Sequence, residues 1–288
     1  MTTRDDPGVY RRQVRIGLRE ARKAADRTQQ EVATALDWSL SKVIRIENGS
    51  VSISTTDLRA LLAYYGITDN TRVELLVAAA RASRGRPWWH TYHELIRPQF
   101  AELLTYESTA SAYRTYNPTI ITSLLQHPEY ATALRVHTVP NPEIRERLVE
   151  LLAGRQERFY DDGTPVASFI VDEAALRRTV GGAAIMAKQA SFLKNQMQKS
   201  NTSIRILPFT AGAHSSLSGP FILLEFPDDD DDVIFFEGIQ GDTISREDNA
   251  LRTRYFEIFD ELWEKSLTED ASADMLDRLH EQYAATTA

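Results

Sequence analysis

Thr28-Gln29-Gln30-Glu31-Val32-Ala33-Thr34-Ala35-Leu36-Asp37-Trp38-Ser39-Leu40-Ser41-Lys42-Val43-Ile44-Arg45-Ile46-Glu47-Asn48-Gly49 is the stretch on which the reading of this chain turns. Thr28 and Glu31 form a capping box, in which the hydroxyl takes a free backbone N–H and the carboxylate reaches back. A short helix to Leu36 follows. Ser39 is a second N-cap and opens a helix that runs to Asn48, where Asn48-Gly49 suits a left-handed exit. Val32, Leu36, Val43 and Ile46 fall on inward faces, and Ala33 is small where steeply crossing helices bring their backbones together. Asp37 stands at the tight turn, where glycine is best and aspartate is among the tolerated substitutes. The spacing predicts two short helices joined by a tight turn, with an ordinary helical hairpin as the rival.

Outward from that stretch, Val14, Leu18 and Ala21 line one face of an earlier helix, and Arg11, Arg12, Arg15, Arg19 and Arg22 load the others. Ser54 or Thr55 starts a fourth helix carrying Leu58, Leu61 and Leu62, stopped by Gly66. Thr68 to Ala82 supplies a fifth. Arg84-Gly85-Arg86-Pro87 breaks the helical pattern, so the chain is divided into 1–86 and 87–288. A helix-turn-helix places the N-terminal residues of its second helix in the DNA major groove, so on that reading 1–86 is expected to be a DNA-binding head.

Beyond the break, Trp88 to about Tyr160 reads as helical and aromatic, with a long helix from Arg145 to Phe159. Strands are expected at Val166–Val171, Ile204–Phe209, Phe221–Phe226 and Val233–Gly238, with a helix from Ala183 to Lys199 between the first two. Glu247 to Lys265 closes the body as an amphipathic helix, and the tail after Gln282 reads as frayed. The expected fold is a mainly α, five-helix head followed by an α+β domain with a small, mostly antiparallel sheet.

The 288 residues are 42% hydrophobic and 26% charged, which fits a globular chain of two domains. No cysteine is present, which removes disulfides, thiolate nucleophiles and cysteine-based zinc sites, and suits a cytoplasmic setting. No run is apolar enough to cross a bilayer, and Met1 to Asp6 lacks the apolar core of a secretory signal. The net charge of −8 hides an asymmetry: residues 1–86 hold 15 basic and 10 acidic side chains, net +5, and the rest hold 18 and 31, net −13. Such a chain attracts a polyanion at its front and repels it behind.

The 28–33 and 41–49 strings resemble the phage-repressor (Cro/CI or Xre-type) helix-turn-helix family over roughly Val14 to Leu76. The resemblance implies base contacts for Leu40, Ser41 and Arg45, with Arg45 best placed to pair bidentately with guanine. It implies phosphate contacts for Gln29, Ser39 and Lys42, a further backbone contact for Asn48, and a structural Glu47 locked to a nearby arginine. Farther on, Trp88-Trp89, Leu124-Leu125-Gln126, Arg155-Gln156-Glu157, Asp172-Glu173, Ile206-Leu207-Pro208-Phe209, Gly212-Ala213-His214 and Gly219-Pro220-Phe221 occur in the order found in WhiJ-like, antitoxin-like actinobacterial regulators. That resemblance spans about Trp88 to Leu267. It implies a repressor-type head before a domain of unknown function, and often a small partner protein encoded alongside.

Chemistry is otherwise sparse. His90, His93 and Glu94 lack the spacing of a zinc protease, and five adjacent aspartates, Asp228 to Asp232, lack a calcium loop's spaced ligands. Ser215, Ser216 and Ser218 beside His214 have no nucleophile elbow, and Asp172-Glu173 reads as a helix cap. No catalytic residue, metal or cofactor is expected. Tyr106, Tyr113, Tyr116, Phe209, Phe221, Phe235 and Phe236 read as core before pocket lining. Arg177, Phe209, His214 and Glu237 are the candidates for an effector pocket. The expected partners are double-stranded DNA, a second copy of the chain and a small protein.

Overall fold

α1 (Pro7–Ala24) is the first helix of the computed structural model, which describes residues 7–49, 51–160, 165–217, 219–227, 232–238, 240–246 and 248–287. Met1–Asp6, Ser218, Asp228–Asp231 and Glu247, named above, lie outside the described residues. The chain divides into two compact units, one ending at His90 and the other beginning at Thr91.

In the first unit α1 is followed by α2 (Gln29–Ala35), α3 (Leu40–Glu47), α4 (Thr55–Tyr64) and α5 (Asn70–Ala82). Their apolar stripes meet in one core of Val14, Leu18, Val32, Ala33, Val43, Ile46, Leu58, Leu61, Leu62, Val77 and Ala80. Full burial of each leucine contributes about 1.5–3 kcal/mol. Gly17 lets α1 approach α5, since a Cβ there would sit 2.7 Å from a Leu76 methyl.

The second unit runs α6 (Pro98–Glu107), β1 (Ala112–Asn117), α7 (Pro128–Arg135), α8 (Pro142–Phe159), β2 (Val166–Asp172), α9 (Glu173–Arg177), α10 (Ala183–Gln196), β3 (Thr202–Leu207), β4 (Phe221–Glu225), β5 (Val233–Phe236), β6 (Thr243–Ser245), α11 (Asn249–Lys265) and α12 (Glu269–Thr287). The sheet order is β3-β2-β1-β4-β5-β6. β1, β2 and β3 are mutually parallel, and β4, β5 and β6 extend the sheet by antiparallel pairing. Helical crossovers between β1, β2 and β3 impose the parallel half, because parallel neighbours need a connection long enough to return. One face packs Tyr113, Phe169, Ile204 and Phe235 in a core that also takes in Leu276 of α12; the other packs Tyr116, Ile170, Phe221 and Leu223 against Phe259 and Leu262 of α11.

Two strands escape the sequence reading. β1 occupies a stretch expected to be helical: Tyr113, Thr115 and Asn117 alternate with Arg114 and Tyr116, and Arg114 is neutralised across the sheet by Glu225 at 2.6 Å. A central strand so rich in polar residues hides the usual apolar run. β6 is a three-residue edge. The tail is also not frayed: α12 continues to Thr287, and buried Tyr283 donates from its hydroxyl to the Leu176 carbonyl at 2.8 Å.

Candidate nucleic-acid interface

α2 starts as its cap dictates. The backbone N–H and hydroxyl of Thr28 donate to the Glu31 carboxylate at 2.8 and 2.9 Å, and those bonds hold its pKa below the usual carboxylate value. Glu31 N–H donates back to the Thr28 hydroxyl. The turn closes through Trp38 N–H on the Ala33 carbonyl, 2.8 Å, with Asp37 in the left-handed region at φ 55°. That conformation is tolerable for aspartate and natural for glycine. Asp37→Gly is therefore expected to stabilise this unit by about 1 kcal/mol, read as a raised thermal midpoint.

α3 divides cleanly between anchor and display. Val43, Ile46 and Glu47 are buried, while Leu40, Ser41 and Arg45 are exposed. Glu47 accepts from Arg22 Nε at 2.7 Å and from the Gln29 amide at 2.8 Å, so one buried carboxylate ties α3 to both α1 and α2. Arg45 uses Nε on the Ser41 carbonyl at 3.2 Å, and its terminal nitrogens have no hydrogen-bond partner among the described residues. A guanidinium steadied at Nε and open at its fork suits bidentate pairing with a guanine edge.

The phosphate candidates are differently placed. Ser39 caps α3 by accepting from Lys42 N–H at 3.2 Å. The Gln29 amide is engaged by Glu47. Lys42 Nζ lies 3.2 Å from Asp57 and 3.6 Å from the centre of the Trp38 ring. Trp38 and Asp57 were not among the site residues expected from sequence. Trp38 adjoins the turn, but nothing in the spacing ties Asp57 of α4 to Lys42. Asn48 is the exposed C-cap, and Gly49 at φ 72° makes the left-handed exit.

The four effector-pocket candidates do not share one place. Asp172 and Glu173, at the end of β2, gather three of them. Glu173 accepts from Arg177 Nε at 2.6 Å and from Phe209 N–H at 2.8 Å. The buried Tyr116 hydroxyl donates to Asp172 at 2.8 Å and stands 3.3 Å from His214 Nε2. Burial lowers the His214 pKa, against the pull of Asp172 and Glu261. Glu237, just beyond β5, belongs instead to the neighbourhood of Arg155 and Arg135.

That second neighbourhood escaped sequence reading. Arg155 of α8 and Glu107 of α6, both buried, pair through two hydrogen bonds of 2.9 and 2.5 Å, and Arg155 also donates to Ser123 at 2.6 Å. The next residue, Gln156, donates to the carbonyls of Ser123, Leu124 and Gln126. Arg155-Gln156 thus organises the Leu124-Leu125-Gln126 loop that lies 30 residues earlier.

Comparison with known proteins agrees with this division. Residues 15–76 match a helix-turn-helix domain, and residues 100–278 match the domain of unknown function DUF5753. No curated protein matches the chain, and neither does any solved structure. Among the described residues no helix is long and apolar enough to cross a membrane. With well over half its length in that match, the chain belongs to the DUF5753 family and carries a DNA-binding type of helix-turn-helix domain ahead of it.

Proposed function

We propose that the protein is a sequence-specific transcriptional regulator that binds DNA as a homodimer and takes a signal through its second unit. The observation that carries this reading is α3 itself, which buries Val43, Ile46 and Glu47 and presents Leu40, Ser41 and the open fork of Arg45. A single head reads few bases, and paired heads span half-sites about one helical turn apart. The −13 charge outside the head keeps non-specific DNA affinity down. No catalytic step and no cofactor enter this reading.

Footprinting on the DNA upstream of the protein's own gene tests it. Protection of two half-sites supports the proposal, and no protection above the level on random DNA refutes it. Lys42→Ala serves as the phosphate control. It is expected to weaken all sequences alike and to reduce the slope of log affinity against log salt by about 1, because one phosphate contact is lost.

A second reading is favoured by Phe209 and Leu217, large apolar side chains exposed by 58% and 62% on the second unit. Here the chain is an antitoxin-type protein that holds a small partner encoded beside it and uses DNA binding for autoregulation. Stoichiometric co-purification of that neighbour, lost in Phe209→Ser, would favour this reading.

A further inference from the structure

The two basic side chains of α3 are held in different ways. Arg45 is braced on a neutral carbonyl and has no carboxylate within 4.0 Å among the described residues. Lys42 is already engaged by charge. Its ammonium lies 3.2 Å from the Asp57 carboxylate of α4 and 3.6 Å from the centre of the Trp38 ring. An aromatic face and a carboxylate both stabilise an ammonium where it stands. The pair is 35% and 33% exposed, so it lies at the surface rather than in the core, within reach of a bound polyanion.

Asp57 is itself fixed. Its N–H donates to the hydroxyl of Ser54, the N-cap of α4, at 2.9 Å. Its carboxylate falls in the first turn of that helix, where the macrodipole favours negative charge. Neither Lys42 nor Asp57 has a second ion pair within 4.0 Å among the described residues, so the two charges cancel each other. A phosphate that approaches Lys42 therefore meets a cation whose counter-charge is already in place, and Asp57 repels it. Contact forms by exchange, with the ammonium leaving one anion for another. Arg45 has no such anion to leave.

Resting on the reading of α3 as the DNA-facing helix, we propose that Asp57 is an internal competitor of DNA phosphate for Lys42. It holds the ammonium in the free chain, gives it up on binding, and lowers the affinity of the head for every DNA sequence alike.

The test is a double-mutant cycle in the full chain on a random-sequence duplex, read by fluorescence anisotropy over a series of salt concentrations. Asp57→Asn keeps the shape of the side chain and removes its charge, with circular dichroism confirming the fold. It is expected to tighten binding about threefold at low salt, the order of one exposed ion pair. In the Lys42→Ala background the same change is expected to gain less than about 1.5-fold, because the competition has lost its object. The slope of log affinity against log salt should stay at the wild-type value in Asp57→Asn, since the same phosphates are contacted. Unchanged or weaker binding by Asp57→Asn overturns the proposal, because Asp57 would then support Lys42 rather than compete for it. An equal gain in both backgrounds with a steeper slope also overturns it, since the effect would be one of net charge. So does the absence of binding by either chain at about 50 mM salt. The cycle needs no operator, so it can succeed where the footprint shows no sequence preference. If it fails while half-sites are protected, only the competition falls.

Discussion

Arg155→Met is expected to destabilise the second unit by about 3–5 kcal/mol, because it leaves the Glu107 carboxylate buried without its counter-charge. The side chains of the pair are only 3% and 6% exposed, so water cannot take the place of the lost guanidinium. The same change releases Ser123 and disturbs the loop that Gln156 holds. Adding Glu107→Leu to Arg155→Met should recover most of the loss, since replacing both partners of a buried pair is often neutral or stabilising. Urea unfolding of the three variants checks this. A single substitution costing less than about 1 kcal/mol would show that the pair is solvated.

Arg45→Ala is expected to cost about 1–3 kcal/mol of discrimination between the operator and a sequence changed at the contacted base pair. Binding to random DNA should fall much less, because one charge among fifteen basic side chains in residues 1–86 contributes little to the non-specific term. Fluorescence anisotropy against the two duplexes separates these quantities. The prediction follows from the geometry of α3: Arg45 is braced at Nε and holds no buried contact, so its loss leaves the fold intact. Equal discrimination by wild type and variant would move base reading to Leu40 and Ser41.

The first unit was legible to a degree the second was not. Capping box, turn and inward residues of α2 and α3 lie within 22 consecutive residues, and each follows from local backbone chemistry. Asp37 shows this at one position: a left-handed turn was required, and φ 55° is what the fold contains. β1 shows the reverse. Its residues carry no apolar run, and only pairing with β2 and β4 gives Arg114 its Glu225 and Thr115 its acceptor on Phe221.

The candidate site divides in the same way. Arg45 and Leu40 as displayed residues, and Glu47 as an anchor, could be placed from sequence and resemblance. Glu237 was grouped with Arg177, Phe209 and His214 because all four are polar or aromatic groups near strand ends. The folded chain separates Glu237 from the three that meet around Asp172 and Glu173.

Sequence alone determined the two-part organisation, the bihelical head and the direction in which α3 presents its side chains. These depend on contacts a few residues apart, where periodicity and caps act. Tertiary structure alone decided the parallel half of the sheet and the Glu107–Arg155 pair. The parallel pairings and the ion pair join residues 35 to 54 positions apart, and no local preference records which distant partner a side chain will meet.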